Sequence, residues 1–129
     1  MAVPSGAGSE VLKRMSTHIT SGTTVIDWAQ TIQTTAGNSS GTTTIPADHI
    51  YTILSVNLCN TAGSASRNVH MWIEHSGEDD MYILHTQAIG GTETFVYTDK
   101  FVMREGDVLK FNANGADVQV WISYIDQHF

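Results

Sequence analysis

The chain's six histidines, His18, His49, His70, His75, His85 and His128, are its residues best suited to metal or proton chemistry. A metal site on a strand needs two histidines one residue apart, so that both imidazoles share a face, with a glutamate and a later histidine to complete the set. No His-x-His step occurs here. His70 and Glu74 share strand parity but His75 does not, so His70, Glu74, His75 and His85 converge only in a special register, and no metal or other cofactor is expected. Glu78-Asp79-Asp80 gathers acidic oxygens, but a calcium loop spaces them alternately through about twelve residues, and this run reads as a solvated hairpin tip. Cys59 is the single cysteine and has no basic neighbour to lower its pKa, so it reads as a buried structural thiol. No serine sits in Gly-x-Ser-x-Gly, and no phosphate-cradling glycine motif is present. With no acid–base pair or activated nucleophile presented, the chain is not expected to be an enzyme.

The aromatic residues offer a different chemistry, that of stacking and of protein contact. Trp28, Trp72 and Trp121, with Tyr51, Tyr82, Tyr97 and Tyr124, are candidates for a sugar-stacking platform or a subunit interface. Trp72 and Trp121 lie opposite the aliphatic stripes of their runs, which places one of them on an outer or an intersubunit face. A sheet apolar on both sides is commonly covered by a second subunit as well as by its own partner sheet. A homo-oligomer is therefore expected.

These residues must be positioned by strands. Thr is sixteen of 129 residues, a composition that favours strands and turns over helices. Residues 49–60 alternate over about five repeats, with Ile50, Thr52, Leu54, Val56 and Leu58 on one face and Tyr51, Ile53, Ser55, Asn57 and Cys59 on the other. Further strands are expected over 68–74, 81–86, 92–103 with a break near Asp99-Lys100, 108–111 and 118–125, and shorter ones within 23–34 and at 42–45 before Pro46. Asn38-Ser39-Ser40-Gly41 reads as a turn, and Asn114-Gly115 as a hairpin signal between the last two strands. Residues 1–15 are expected to form a flexible arm, with 16–129 the folded domain; the stickier stretch 11–19, which spans that boundary, reads as a first strand or as a segment that docks on a neighbouring subunit. About eight short strands without helical periodicity predict an all-β, jelly-roll-like sandwich.

Charge narrows the partners. Six Lys and Arg against thirteen Asp and Glu give −7 at pH 7, and only 15% of residues are charged. Nucleic-acid binding needs a cationic footprint that displaces counterions, which six scattered basic residues do not supply. No run approaches about eighteen consecutive apolar residues, and the start has no basic or apolar leader segment. Neither nucleic acid, membrane insertion nor Sec export is expected. The lone cysteine suits maturation in a reducing cytoplasm.

Val-Pro-Ser-Gly-Ala-Gly-Ser-Glu-Val-Leu-Lys-Arg at residues 3–14 resembles the N-terminal arm of small virion proteins of tailed bacteriophages. His49-Ile50-Tyr51-Thr52-Ile53-Leu54-Ser55-Val56 and Asp117-Val118-Gln119-Val120-Trp121-Ile122-Ser123-Tyr124 are similar to core strands of those proteins. The resemblance implies a β-sandwich that decorates or cements a capsid as a symmetric oligomer, often a trimer, made in the bacterial cytoplasm and found in the virion. Its partners would be further copies of itself and the major capsid protein or another virion protein, with Val11, Leu12, Lys13, Arg14 and Met15 as the capsid-binding arm. Relatives of this shape also serve in necks and tails, and no catalytic residues come with the resemblance. The alternative is a carbohydrate- or receptor-binding β-module using Trp28, Trp72 or Trp121.

Overall fold

Alternating apolar residues become antiparallel strands in the computed structural model, which describes residues 9–29, 42–75 and 78–129. Nine strands are present among the described residues: β1 (Ser9–Ile19), β2 (Thr24–Val25), β3 (His49–Asn60), β4 (Arg67–His75), β5 (Met81–Ile89), β6 (Thr94–Tyr97), β7 (Phe101–Arg104), β8 (Asp107–Ala113) and β9 (Val118–His128). The first sheet runs β1-β9-β3, with β6 beside the C-terminal half of β3 and β7 beside its N-terminal half. The second runs β2-β8-β4-β5. The chain is an all-β sandwich.

The core lies between the sheets and follows from strand parity. Val118, Val120, Ile122 and Tyr124 of β9 point inward with Met15 and Ile19 of β1, meeting Val69 and Met71 of β4 and Leu109, Phe111 and Ala113 of β8. Burying a Val, Leu, Ile, Phe or Met side chain fully contributes about 1.5–3 kcal/mol relative to leaving it in water. These stripes therefore decide which face of each strand turns inward. The expected contrast in β4 holds, with Val69, Met71 and Ile73 paired to the inward residues of β8 and His70, Trp72 and Glu74 on the opposite face.

In β3 the expected division into two faces is corrected. The register against β9 shifts between Ile53, which faces Tyr124, and Ser55, which faces Ser123, leaving Leu54 unopposed. That extra residue reverses side-chain parity along the rest of the strand. Tyr51 and Ile53 are buried before the bulge, and Val56, Leu58 and Asn60 after it. Uninterrupted alternation would bury only one of these apolar sets, whereas the bulge buries both. Cys59 consequently lies on the outer face and is half-buried, not enclosed in the core.

The boundary expected at residue 15 falls inside a strand. Residues 9–19 pair one-to-one with β9, from Ser9 opposite His128 to Ile19 opposite Val118. Met15 is wholly buried opposite Ile122 and belongs to the core instead of an arm, because Met15, Thr17 and Ile19 continue the inward stripe. Residues 1–8, the expected turn at 38–41 and the end of the 23–34 stretch lie outside the described residues.

The Asn114-Gly115 step joins β8 and β9, which belong to different sheets, so it makes a crossing and not a hairpin. A type I′ hairpin requires positive φ at both central residues, and neither Asn114 nor Gly115 adopts it. Long ladders of β9 with both β1 and β3 outweigh the local turn preference. The short strand expected at 42–45 is reduced to one bridge, between Thr44 and Val108. At the next crossing, buried Asn60 donates from its amide to the carbonyls of Ala65 (2.9 Å), Ile89 (3.0 Å) and Gly90 (3.2 Å). Its own oxygen accepts from the Ala62 N–H at 3.0 Å.

Candidate functional site

The outer face of the first sheet carries the side chains that parity turns away from the core. Strand register arranges them in cross-sheet rows: Leu12, Ile125, Thr52 and Val102 in one, Ser16, Trp121, Asn57 and Val96 in another. Leu12 is 72% exposed, Val102 60%, Val96 50% and Trp121 40%. The Arg14 guanidinium lies 4.9 Å from the Trp121 ring centroid, a cation–π contact that covers part of the indole. A shallow groove of about 510 Å³ opens among Leu12, Lys13, Arg14, Leu54, Ser55 and Ser123.

Charge is distributed unevenly around this face. Lys13, Arg67 and Lys110 are engaged in ion pairs with carboxylates. Arg14 and Arg104, which turn outward on β1 and β7, have no carboxylate partner among the described residues. Glu10 is the one carboxylate that strand parity places on this face among the described residues. In a chain of net charge −7, this leaves an apolar surface with a local cationic bias.

Beneath the same strand lies a charged cluster centred on the buried Asp126. Lys13 Nζ donates to Asp126 Oδ2 at 2.7 Å, and His49 Nδ1 lies 2.6 Å from Asp126 Oδ1. Burial pushes the Asp126 carboxyl pKa up, but the hydrogen bonds and charges of Lys13 and His49 outweigh it and hold the group below its ordinary value. His49 stacks on His128 with centroids 4.5 Å apart. Trp28 meets Tyr51 and Tyr124 edge-on at 5.2 and 4.9 Å. Burial, and then the Asp126 charge, push the Tyr51 phenol up to about 12; burial, then Tyr51 and Asp126, raise that of Tyr124 as well. The Trp28 indole N–H is buried without an acceptor among the described residues. A second cavity of about 530 Å³ runs beside β1 among Leu12, Lys13, Arg14, Trp28, Ala29 and Tyr124. The cluster clamps the exposed half of β1 to β9 and so holds Leu12 and Arg14 in place.

The histidine and tryptophan candidates are dispersed. Glu74 pairs with Lys110 at 2.7 Å and His75 with Asp107 at 2.6 Å, each drawn away from His70. His70 and His85 do meet, with ring centroids 5.0 Å apart, and the Thr86 N–H donates to His70 Nδ1 at 3.2 Å. Among the described residues no three His, Cys, Asp or Glu side chains gather as a metal site would require. Trp28 belongs to the core and Trp72, 8% exposed, is packed against Tyr82. Trp121 alone among the three tryptophans presents substantial surface.

Of the expected arm contacts, Val11, Leu12 and Arg14 are exposed, Lys13 is engaged by Asp126, and Met15 is buried. Sequence reading named His49 among the histidines but missed Asp126 and its pairing with His49. Its available signal was a carboxylate standing two residues beyond Tyr124 on the inward parity of β9, where an apolar residue belongs. Compared with protein families, curated proteins and solved structures, the chain matches none.

Proposed function

We propose that this protein is a structural assembly module that attaches to a larger symmetric particle, in the manner of a tailed-phage capsid decoration or cement protein. The observation that carries this reading is the outer face of the first sheet, where Leu12, Val96, Val102 and Trp121 stand exposed on one rigid surface. Four large apolar side chains exposed on one sheet face, interspersed with Ser16, Thr52 and Asn57, form the mixed apolar and polar surface that protein contacts commonly use. The partner surface carries acidic groups at its rim, because Arg104 lacks a carboxylate partner among the described residues and would pair there with them. Virion assembly suits a face of this kind, since many copies bind at once and modest affinity per copy accumulates through avidity.

Reconstitution tests the proposal. Capsids assembled without the protein are mixed with the purified chain and sedimented. The wild type is expected in the pellet, and Val102→Asp, which places a charge in the apolar row without touching the core, is expected in the supernatant. Wild-type protein left in the supernatant, or Val102→Asp pelleting equally well, refutes the reading.

A further inference from the structure

We propose that two copies of this chain pair through the edges of their β1 strands around Leu12, which carry no further strand among the described residues, antiparallel across a two-fold axis at Leu12, to form one continuous sheet. β1 is the terminal strand of the first sheet, and its pairing with β9 contains no bulge. Over eleven residues it has no proline. Such an edge presents a row of backbone donors and acceptors that templates another strand. The remaining sheet edges are less suited: β5 is irregular at two points against β4, β6 and β7 have four residues each, and β2 has two.

The sequence of the strand sets the register. Glu10, Leu12 and Arg14 share the outer face. Centring the two-fold on Leu12 puts Leu12 against its copy and sets Glu10 opposite Arg14 of the second copy, twice by symmetry. Centring on Lys13 or Arg14 places like cations together, and centring on Glu10 places like anions together. Centring on Val11 sets Glu10 against a leucine. Opposite charges and apolar pairs facing each other stabilise antiparallel strands, and like charges destabilise them. The Leu12 register is thus the one in which the strand complements itself, as an isologous contact requires.

The pair joins both outer faces into a surface of double width, with Arg14 and Trp121 on each side of the axis. It supplies the self-contact for the assembly reading, on which its biological role rests, although its geometry does not depend on that reading. A two-fold pair also differs from the trimer that the phage resemblance implies.

Light scattering of the full chain over a concentration series is expected to reach twice the 14.1 kDa chain mass. Glu10→Arg and Arg14→Glu, each reversing two cross-strand pairs, should weaken the dimer by about tenfold, and the combined variant should recover it. Under mild oxidation Leu12→Cys should cross-link with itself, Glu10→Cys and Arg14→Cys should each fail alone, and a mixture of those two should cross-link. All three positions are exposed, and circular dichroism confirms that each variant keeps its β-structure. A strictly monomeric chain, a mass of three copies, or failure of the charge-swapped variant to recover overturns the proposal. Val96→Asp and Val102→Asp probe the outer face alone, so undiminished capsid attachment of these variants with the dimer intact counts against the assembly reading and not against this pairing.

Discussion

Replacing Asp126 with asparagine should loosen the exposed half of β1 while leaving the sandwich folded. The carboxylate is 5% exposed and accepts from both Lys13 and His49. Asparagine preserves the shape but has one acceptor oxygen, so one of the two donors loses its partner. A hydrogen bond to a charged group contributes about 1.5–3 kcal/mol. Lys13 is 43% exposed and recovers water once released, which places the net loss near the lower half of that range, about 1.5–2 kcal/mol. Unfolding entropy scales at about 2.1 cal/mol/K per residue, so for this chain the melting midpoint should fall by about 5–7 °C.

The pH dependence provides a second readout of the same substitution. A carboxyl whose folded pKa is depressed stabilises the fold fully above its unfolded pKa, about 3.9, and that contribution is lost as pH falls through the folded value. The gap between wild type and Asp126→Asn should therefore be widest near neutrality and close in acid below about pH 4. Thermal melts across this range measure the gap, and amide hydrogen exchange over residues 10–14 reports whether the loosening is local. Unchanged melting and exchange at neutral pH, or a gap that widens in acid, would refute the reasoning.

Two further substitutions test the framework that holds the face in place. Deleting Leu54 and Ser55 together reverses side-chain parity after Ile53 and sends one of the two inward pairs of β3 to solvent, so cooperative unfolding should disappear; deleting Leu54 alone leaves Ile53 and Ser55 opposite Tyr124 and Ser123 and should retain a single sharp transition in urea. Asn60→Ala strips partners from the carbonyls of Ala65, Ile89 and Gly90 and should cost about 3 kcal/mol, read from the urea midpoint.

Local pattern reached far in this chain. The limits of β3 and the start of β9, the inward stripe of β4 and the break between β6 and β7 follow from alternation and turn chemistry, which act over a few residues. Alternation set Trp72 and Trp121 opposite the aliphatic stripes of their strands, but that Trp121 is the exposed one was decided by the packing of the sheets. The Asp126 cluster was not, because Lys13 and Asp126 are 113 residues apart and only the pairing of β1 with β9 makes them neighbours. Met15 was misplaced in an arm because nothing local distinguishes a strand that has a partner from a segment that lacks one.

By itself, then, the amino-acid order determined that this is a β-sandwich of low charge density, with more apolar strand surface than one core absorbs. Tertiary structure decided where that surplus goes. One unpaired residue at Leu54 chose which half of each β3 face is buried, and the assignment of β8 and β9 to different sheets overrode an Asn-Gly turn signal. Alternation is a property of single strands, set by backbone geometry at each residue. Register and sheet membership are properties of pairs of strands, chosen by which combination buries the most apolar surface while satisfying the ladders.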